Sequence, residues 1–417
     1  MSSSSRMSAL ELRASLALAG VFGLRLFGMF VILPVFAIYA ETLPGGVNLT
    51  LAGIAIGAYG LTQAILQIPS GWCSDRFGRK PVIYAGLVLF AVGSFVAAAA
   101  PNIYVVIAGR VLQGAGAISA AVMALASDLT REEHRTKSMA MIGSTIGLVF
   151  TMSLVVAPWL SELVGVPGIF ALTGVLAIAA IGVVWGVVPA APEPATARTG
   201  ALLADLKLVV ADAQLMRLNW GIFALHAVLM AMFIVVPFAL RDAGMPLSQH
   251  WKVYLPVMLG SFVLMLPAVM GAHTPGRLKR WFAAAIALLL AVQLAMPWLL
   301  GGIWPIALFL LIFFTPFNVL EAMLPSLVSR VAPPQLKGAA MGVYSSVQFL
   351  GAFVGAAAGA FLYTHWGIAG TVAPGAGVLV IWLILASGMR EPPPRQSIKA
   401  PGESAEAKAS TVGAPAR

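Results

Sequence analysis

Hydrophobic residues along the chain gather in long stretches that are separated by short polar segments. Each stretch is near the roughly 20 residues that an α-helix needs to cross a hydrocarbon core about 30 Å thick. The pattern predicts an all-α membrane protein with twelve transmembrane helices. The predicted spans cover residues 14–40, 51–71, 81–100, 103–127, 139–161, 166–188, 217–240, 249–272, 281–300, 303–328, 338–363 and 367–389.

A longer polar segment divides these spans into two sets of six. The predicted organisation is an N-terminal six-helix half at 1–188, a cytoplasmic linker at 189–216 and a C-terminal six-helix half at 217–389. The linker begins with Pro and Ala and then shows the pattern of a short amphipathic helix. The remaining tail, 390–417, is rich in Pro, Ala and Ser without apolar periodicity, so we expect it to be disordered.

A faint internal repeat relates the two halves. The segment "GWCSDRFGRK" at 71–80 is interpreted as a loop, and it aligns with "GAHTPGRLKR" at 271–280. Both segments begin with glycine and end in two basic residues, but Pro275 stands where Asp75 does. Repeats of this kind predict two halves that are related by a pseudo-two-fold axis.

Composition supports membrane insertion and excludes several kinds of chemistry. Of the 417 residues, 60% are hydrophobic and only 10% are charged, and the mean hydropathy is +0.94. Cys73 is the single cysteine, which excludes an intramolecular disulfide and a CxxC metal site. The sequence has no P-loop motif, so direct ATP hydrolysis is not expected. We therefore expect no metal and no cofactor.

The net charge of +10 reports orientation in the membrane rather than nucleic-acid binding. If the N-terminus lies inside, all but four of the 25 Lys and Arg residues fall on the cytoplasmic side. Arg241 and Lys252 lie on the opposite side, and Arg25 and Arg110 lie within spans. Both termini are therefore predicted to be cytoplasmic. The first span follows a polar run and contains Arg25, so it is expected to remain rather than be cleaved as a signal peptide.

Two motifs make the chain similar to a known family. The first is a glycine, an aspartate and then Arg-x-Gly-Arg-Lys, and the second is "RVLQGAGA" in the span 103–127. Together they resemble the signatures of the major facilitator superfamily and of its drug:proton antiporter branch. The resemblance extends over all twelve spans and includes the YajR-type transporters. The residues that carry the first motif are Gly71, Asp75, Arg76, Gly78, Arg79 and Lys80.

The chain departs from this family in two ways. The antiporter signature of the fifth span has a Gly-Pro pair, whereas this chain has Ala157-Pro158. YajR-type proteins can carry a small cytoplasmic domain after the last span, and here only the polar tail follows it. The first departure puts antiport in question, although the resemblance as a whole implies it.

The charges of the first motif support two interpretations. The positive-inside rule explains Arg76, Arg79 and Lys80 as residues that hold the segment on the cytoplasmic side. It does not explain Asp75, because acidic residues contribute little to orientation. The family resemblance implies a cluster of Asp75, Arg79 and Asp128 that acts as a cytoplasmic gate, which latches the outward-open state. The alternative is a role in orientation and folding alone.

Charged side chains in the middle of a span cost about 2.5–3.5 kcal/mol each on insertion scales, so each suggests a function. Of the 15 acidic residues, only Glu321 falls well inside a span. We predict that Glu321 binds and releases the coupling proton as water access changes sides. The alternative is a structural hydrogen bond between helices.

Three further residues are candidates for proton coupling. Arg110 resembles the antiporter arginine that couples protonation to substrate exchange, but it can also form a fixed ion pair. Arg25 can be a counter-ion for Glu321, a contact for a substrate anion or a snorkelling anchor. His226 titrates in a useful range, but a lone intramembrane histidine is more often simply hydrogen-bonded.

Polar residues at helical spacing predict the wall of a substrate cavity. Asn318 lies three residues before Glu321, so the two side chains share a helix face. A second stripe has four-residue spacing in the span 51–71. Hydrogen bonding between helices is the alternative for these residues. The predicted cavity residues are Tyr59, Gln63, Gln67, Gln113 and Asn318.

These features together favour a proton-coupled secondary transporter that exports small amphipathic or cationic compounds by alternating access. The alternatives are uptake or export of a metabolite such as a sugar or an amino acid, and a non-transporting membrane sensor. An enzyme is not expected, because no nucleophile–base pair or metal cluster lies within the spans. The expected partners are a small-molecule substrate, protons and the lipid bilayer, without nucleic acid. We expect a monomer in the bacterial inner membrane.

Overall fold

The computed structural model describes residues 7–189, 201–272 and 276–390, and these residues form helices without strands. The tail from 391 onward and residues 190–200 of the linker lie outside the described residues. Thirteen α-helices follow one another along the chain. They are α1 (Ala9–Phe30), α2 (Leu33–Ala40), α3 (Leu49–Phe77), α4 (Arg79–Ala98), α5 (Ile103–Ala115), α6 (Ser119–Asp128), α7 (Glu132–Gly186), α8 (Ala201–Ala211), α9 (Ala213–Asp242), α10 (Trp251–Ala272), α11 (Leu278–Leu299), α12 (Ile303–Val331) and α13 (Lys337–Ser387).

Ten helical runs among the described residues are long and apolar enough to cross a membrane. Two of them, α7 with 55 residues and α13 with 51, are far too long for one crossing. Each contains a glycine with non-helical backbone at which two helices meet, Gly165 (φ 67°) in α7 and Gly367 (φ 59°) in α13. Each of these two runs therefore bends at a glycine, and the count of twelve spans stays a prediction.

The structure corrects the interpretation of 71–80 as a loop. Helix α3 continues through Phe77, and the break consists of Gly78 alone. Gly78 has φ 94°, a backbone conformation that residues with a side chain rarely adopt. The hydrophobic pattern ends at Gly71 because the last turns of α3 are polar, although their backbone remains helical.

Two other spans contain interruptions that hydropathy does not reveal. The first span begins at Ala9 and is interrupted between α1 and α2, just before Pro34. The span 103–127 is interrupted between α5 and α6, where Gly116 has φ −70° and ψ 47°. A Cβ on Gly116 would lie 2.3 Å from the carbonyl oxygen of Gly86, so this glycine allows α4 and α5 to pack closely.

The two halves meet along α3 and α13, and α13 also packs extensively against α9 within the C-terminal half. Gly351 and Gly355 of α13 lie directly against the backbone of α9 at Phe223 and Ala227. Small residues permit this close approach of helices inside a membrane. Phe150 of α7 crosses to the other half, where its ring contacts Phe233, Phe314 and Phe317 at centroid distances of 5.9–6.3 Å.

Candidate functional site

A polar cluster in the C-terminal half joins α9, α12 and α13. The Gln348 amide nitrogen donates to Glu321 Oε1 at 3.3 Å and lies 2.9 Å from His226 Nε2. His226 Nε2 is 4.0 Å from Glu321 Oε2. Gln348 therefore connects the two titratable side chains that the sequence singled out.

The hydrogen-bond partners assigned to the two ring nitrogens of His226 correspond to one tautomer. Nδ1 lies 3.3 Å from the carbonyl oxygen of Ile222, one helical turn earlier, and a carbonyl accepts only from an N–H group. Nε2 then carries the lone pair that accepts the Gln348 amide hydrogen. The arrangement describes a neutral imidazole, which offers no positive charge to Glu321.

Glu321 lies at the boundary between protein interior and open space. Its side chain is 25% exposed, while Oε2 itself is inaccessible and has no hydrogen-bond partner. The nearby hydroxyl groups of Tyr344 and Ser346 on α13 are also buried without a partner. Asn318 donates to Ser261 Oγ at 3.0 Å, so its side chain connects α12 to α10 and is not directed to Glu321.

Arg110 is buried in the N-terminal half and all of its nitrogens are bonded. Nη1 donates to Gln113 Oε1 at 2.8 Å and to the Gly28 carbonyl at 3.3 Å. Nε and Nη2 donate to the carbonyl oxygens of Ala55 and Ile56 at 3.4 and 3.3 Å. Arg110 thus ties α5 to α1 and α3 without a carboxylate.

Arg25 is also buried but far less satisfied. Its Nη1 donates to Ser119 Oγ, whereas Nε and Nη2 have no hydrogen-bond partner. Among the described residues it forms no ion pair within 4.0 Å, so in this conformation it is not a counter-ion for Glu321. The Tyr59 ring lies beside both guanidinium groups, at 5.8 Å from Arg25 and 4.9 Å from Arg110.

The remaining predicted cavity residues face the interior of the N-terminal half. Tyr59, Gln63 and Gln113 are fully buried and Gln67 is 2% exposed. Gln63 donates to the Gly114 carbonyl at 2.7 Å, and Gln113 donates to Ser94 Oγ at 2.7 Å. In this conformation Gln63 and Gln113 bond between helices, and the role of all four side chains as a cavity wall stays a prediction.

The structure brings Asp75, Arg79 and Asp128 together. Arg79 donates to Asp75 Oδ1, to Asp128 Oδ2 at 3.1 Å and to Ser74 Oγ at 2.9 Å. Arg79 therefore joins the end of α3 to the start of α4 and the end of α6. All of these groups belong to the N-terminal half.

The other residues of the motif have separate contacts. The Arg76 guanidinium lies over the rings of Trp72 and Phe77 at 5.4 and 5.7 Å. Lys80 donates to the carbonyl oxygen of Val188 at 2.7 Å. Gly71 packs towards α6, because a Cβ there would lie 3.3 Å from Ala120 Cβ.

Sequence reasoning missed Gln348, Ser119 and Ser261, although each bonds a predicted residue. Single serines and glutamines in apolar spans were the available signal, since buried polar groups need partners. Within the described residues, no group of three or more His, Cys, Asp or Glu side chains is placed to hold a metal ion.

Long apolar helices that surround buried ionisable groups are typical of secondary transporters of the membrane. Comparison with known families is specific. A family model of the Major Facilitator Superfamily matches residues 18–356, and the chain belongs to this superfamily of transporters, which are generally not enzymes.

Known relatives include an inner membrane transport protein and a multidrug resistance protein. The Escherichia coli "Inner membrane transport protein YajR" is 41% identical over 395 residues, which cover 94% of this chain and 87% of that protein. The Proteus mirabilis "Multidrug resistance protein MdtH" is 27% identical over 348 residues, covering 81% of this chain and 83% of that protein. The chain is therefore a multi-pass membrane transporter with bacterial homologues.

A solved structure shares the fold. A bacterial homologue of the human lysosomal transporter Spinster, in an inward-facing and occupied conformation, superposes with a TM-score of 0.75 at 12% identity. The superposition covers 91% of this chain and 96% of the other. This likeness confirms the expected all-α transporter fold.

Proposed function

We propose that the chain is a proton-coupled exporter of small amphipathic or cationic compounds, located in the bacterial inner membrane and active as a monomer. One observation carries the proposal, the environment of Glu321. A carboxyl group in the middle of α12 has an amide and a neutral imidazole as neighbours and no cation within 4.0 Å among the described residues. Inside a membrane such a group is stable when it holds a proton or pairs with a cationic substrate.

This environment supports exchange of the two ligands. A proton and a cationic substrate compete for Glu321, so binding of one favours release of the other. Gln348 and His226 hold the carboxyl group in place. The aromatic rings around Phe317 offer an apolar surface for the hydrophobic part of a substrate. Arg110 connects α1, α3 and α5, and we assign it the role of transmitting protonation to the packing of these helices.

Energy from the membrane potential is sufficient for such transport. One proton that crosses 100 mV releases about 2.3 kcal/mol. The relationship to the Proteus mirabilis multidrug resistance protein supports the choice of substrate, and the relationship to the Escherichia coli inner-membrane protein supports the location.

The test measures proton movement in proteoliposomes that contain a pH-sensitive dye and are challenged with lipophilic cations. We expect native protein to move protons when a transported compound is added, and Glu321→Gln to reduce this flux at least about tenfold, since the variant has no group to protonate. Glu162→Gln is the control, because Glu162 is an exposed acid near the kink of α7.

Two results would contradict the proposal. Normal coupled flux in Glu321→Gln removes this residue from the proton path. Absence of proton flux with every compound in native protein argues against export by antiport and favours transport of a metabolite.

A further inference from the structure

The guanidinium group of Arg25 is the least satisfied charged group of the described spans. The side chain is 1% exposed, its Nη1 donates to a single serine hydroxyl, and its Nε and Nη2 have no partner. A buried charge normally keeps a counter-ion or a complete set of hydrogen bonds. Arg25 has neither, so a ligand would have to supply the negative charge that pairs with its guanidinium group.

Arg110 shows what a satisfied arginine looks like in the same half. It is equally buried, and each of its nitrogens donates to a backbone carbonyl or to Gln113. The protein therefore supplies hydrogen-bond acceptors for every nitrogen of the Arg110 guanidinium but for only one nitrogen of the Arg25 guanidinium. This difference separates an arginine that is fully bonded within the protein from one with donors left for a ligand.

Tyr59 adds a second kind of donor at the same place. Its ring lies 5.8 Å from the Arg25 guanidinium, and its hydroxyl group is buried without a hydrogen-bond partner. A phenol hydroxyl donates to an anion, and a guanidinium presents two parallel N–H groups that match a carboxylate. These donors lie on neighbouring side chains of α1 and α3, and the Tyr59 oxygen is close enough to the Arg25 guanidinium to interact with it.

We infer that Arg25 and Tyr59 form an anion-binding subsite for a carboxylate, or a group of similar shape and charge, on the transported compound. The inference rests on the proposed function and narrows its substrate class to amphipathic compounds that carry both a cationic and an anionic group. The cationic end of such a compound pairs with Glu321 in the C-terminal half. Its anionic end pairs with Arg25 in the N-terminal half.

The position of Tyr59 is compatible with binding of the two ends of one compound by different halves of the protein. Its ring meets the ring of Phe349 at 6.4 Å, and Phe349 follows Gln348, which bonds Glu321. Tyr59 of the subsite therefore contacts the residue that follows the hydrogen-bond partner of Glu321 in the chain. Rocking of the halves changes the Tyr59–Phe349 contact, and its separation exposes the unpaired donors to the ligand.

The test compares two forms of one fluorescent xanthene dye, the free carboxylic acid, which is a zwitterion, and its methyl ester, which is a cation. Binding of each to purified full-length protein is followed by fluorescence anisotropy. We expect native protein to bind the acid about tenfold more tightly than the ester, as a charge-assisted hydrogen bond allows. Arg25→Gln loses this preference but keeps its affinity for the ester, and Arg25→Lys keeps part of the preference.

Two further variants make the result specific. Tyr59→Phe retains the ring and weakens acid binding about threefold without affecting the ester. Lys252→Gln removes an exposed positive charge elsewhere and leaves both affinities unchanged. Thermal unfolding of each variant verifies that it is folded.

The inference is overturned if native protein does not prefer the acid, or if Arg25→Gln weakens both dyes equally. It is independent of proton coupling, because binding is measured without a gradient. A preference for the acid in a protein that moves no protons would preserve the subsite and reject antiport. Proton-coupled transport of the ester alone would preserve antiport and reject the subsite.

Discussion

Arg79, Asp75, Asp128 and Ser74 form a cluster, which we call the Arg79 cluster. At the residue scale, a single guanidinium group in this cluster connects three helices. One guanidinium contacts Asp75, Asp128 and a serine hydroxyl, and its own side chain is 21% exposed. The carboxylates are more open, at 51% for Asp75 and 38% for Asp128, so solvent screens both ion pairs. Such a cluster contributes little to overall stability and is suited to biasing an equilibrium between conformations.

Asp75→Asn removes one charge of this cluster. Because exposed pairs contribute about 0.2–1 kcal/mol, we expect transport to slow by roughly two- to fivefold as the balance between conformations shifts. The unfolding midpoint should change little, since surface substitutions rarely exceed about 0.5 kcal/mol. Initial transport rates in proteoliposomes and thermal unfolding in detergent measure the two quantities.

Glu132→Gln is the comparison for this variant, because Glu132 is an exposed acid in the first turn of α7 that lies outside the cluster. Equal transport rates for Asp75→Asn and native protein would remove the gate and leave orientation in the membrane as the role of the motif.

At the scale of elements, contact between α3 and α13 depends on a row of glycines in α3. A Cβ on Gly53 would lie 2.4 Å from the Ala356 carbonyl oxygen and 2.4 Å from Ala360 Cβ. Gly57 and Gly60 lie similarly close to the backbone of α13 at Phe353 and Phe349. These glycines allow the two halves to meet with no side chain between them.

Gly53→Ala should therefore push the two halves apart at this end of α3. Overpacking typically costs about 1–3 kcal/mol, which corresponds to a shift of at least fivefold towards conformations in which α3 and α13 have separated. Spin labels at the exposed residues Val47 and Gln249, one in each half, report the separation as a distance distribution in protein with Cys73 replaced by serine.

Gly182→Ala is the matched substitution, because Gly182 is also helical and a Cβ there meets nothing within 4 Å. It should leave the distances unchanged. A distance distribution for Gly53→Ala that matches native protein would mean that α3 and α13 do not separate during transport.

Helices were predictable from the sequence, but their contacts were not. Hydropathy identifies the spans because lipid tolerates only apolar surfaces, and it misplaces ends where a helix continues in polar residues, as at Asp75. Gly143 and Gly147 have the four-residue spacing that is typical of close helix packing, yet a Cβ on Gly143 meets nothing and one on Gly147 lies 3.9 Å from Phe262. Spacing alone does not reveal which glycine faces a helix and which faces open space.

The charged residues of the candidate site could be predicted from the sequence, but their hydrogen-bond partners could not. Glu321, Arg25 and Arg110 stand out because charge is costly in a membrane. That Arg110 is satisfied and Arg25 is not depends on carbonyl oxygens of α1 and α3, which no sequence pattern encodes. Gln348 is one polar residue among many until folding places it between His226 and Glu321.

At the scale of the whole molecule, an ion pair connects α2 to α9 at the predicted outer side. Arg241 Nη1, at the end of α9, donates to Glu41 Oε2 at 2.6 Å, just after α2. The α3–α13 glycine contacts lie towards the same side, so closure there combines a close backbone approach with an electrostatic pair. Alternating access requires both to separate when the outer side opens.

Glu41→Gln and Arg241→Gln should each favour opening of the outer side, by up to about fivefold, because an exposed pair contributes about 0.2–1 kcal/mol. The double variant should shift the Val47–Gln249 distance distribution no further than either single variant, since each removes the same interaction. High salt should reproduce the shift in native protein by screening the pair.

Asp242→Asn is the control, because Asp242 lies 3.6 Å from Arg241 within the same half. Additive shifts in the double variant, or an equal shift in Asp242→Asn, would mean that local charge at the end of α9 matters and that the pair itself does not hold the halves together.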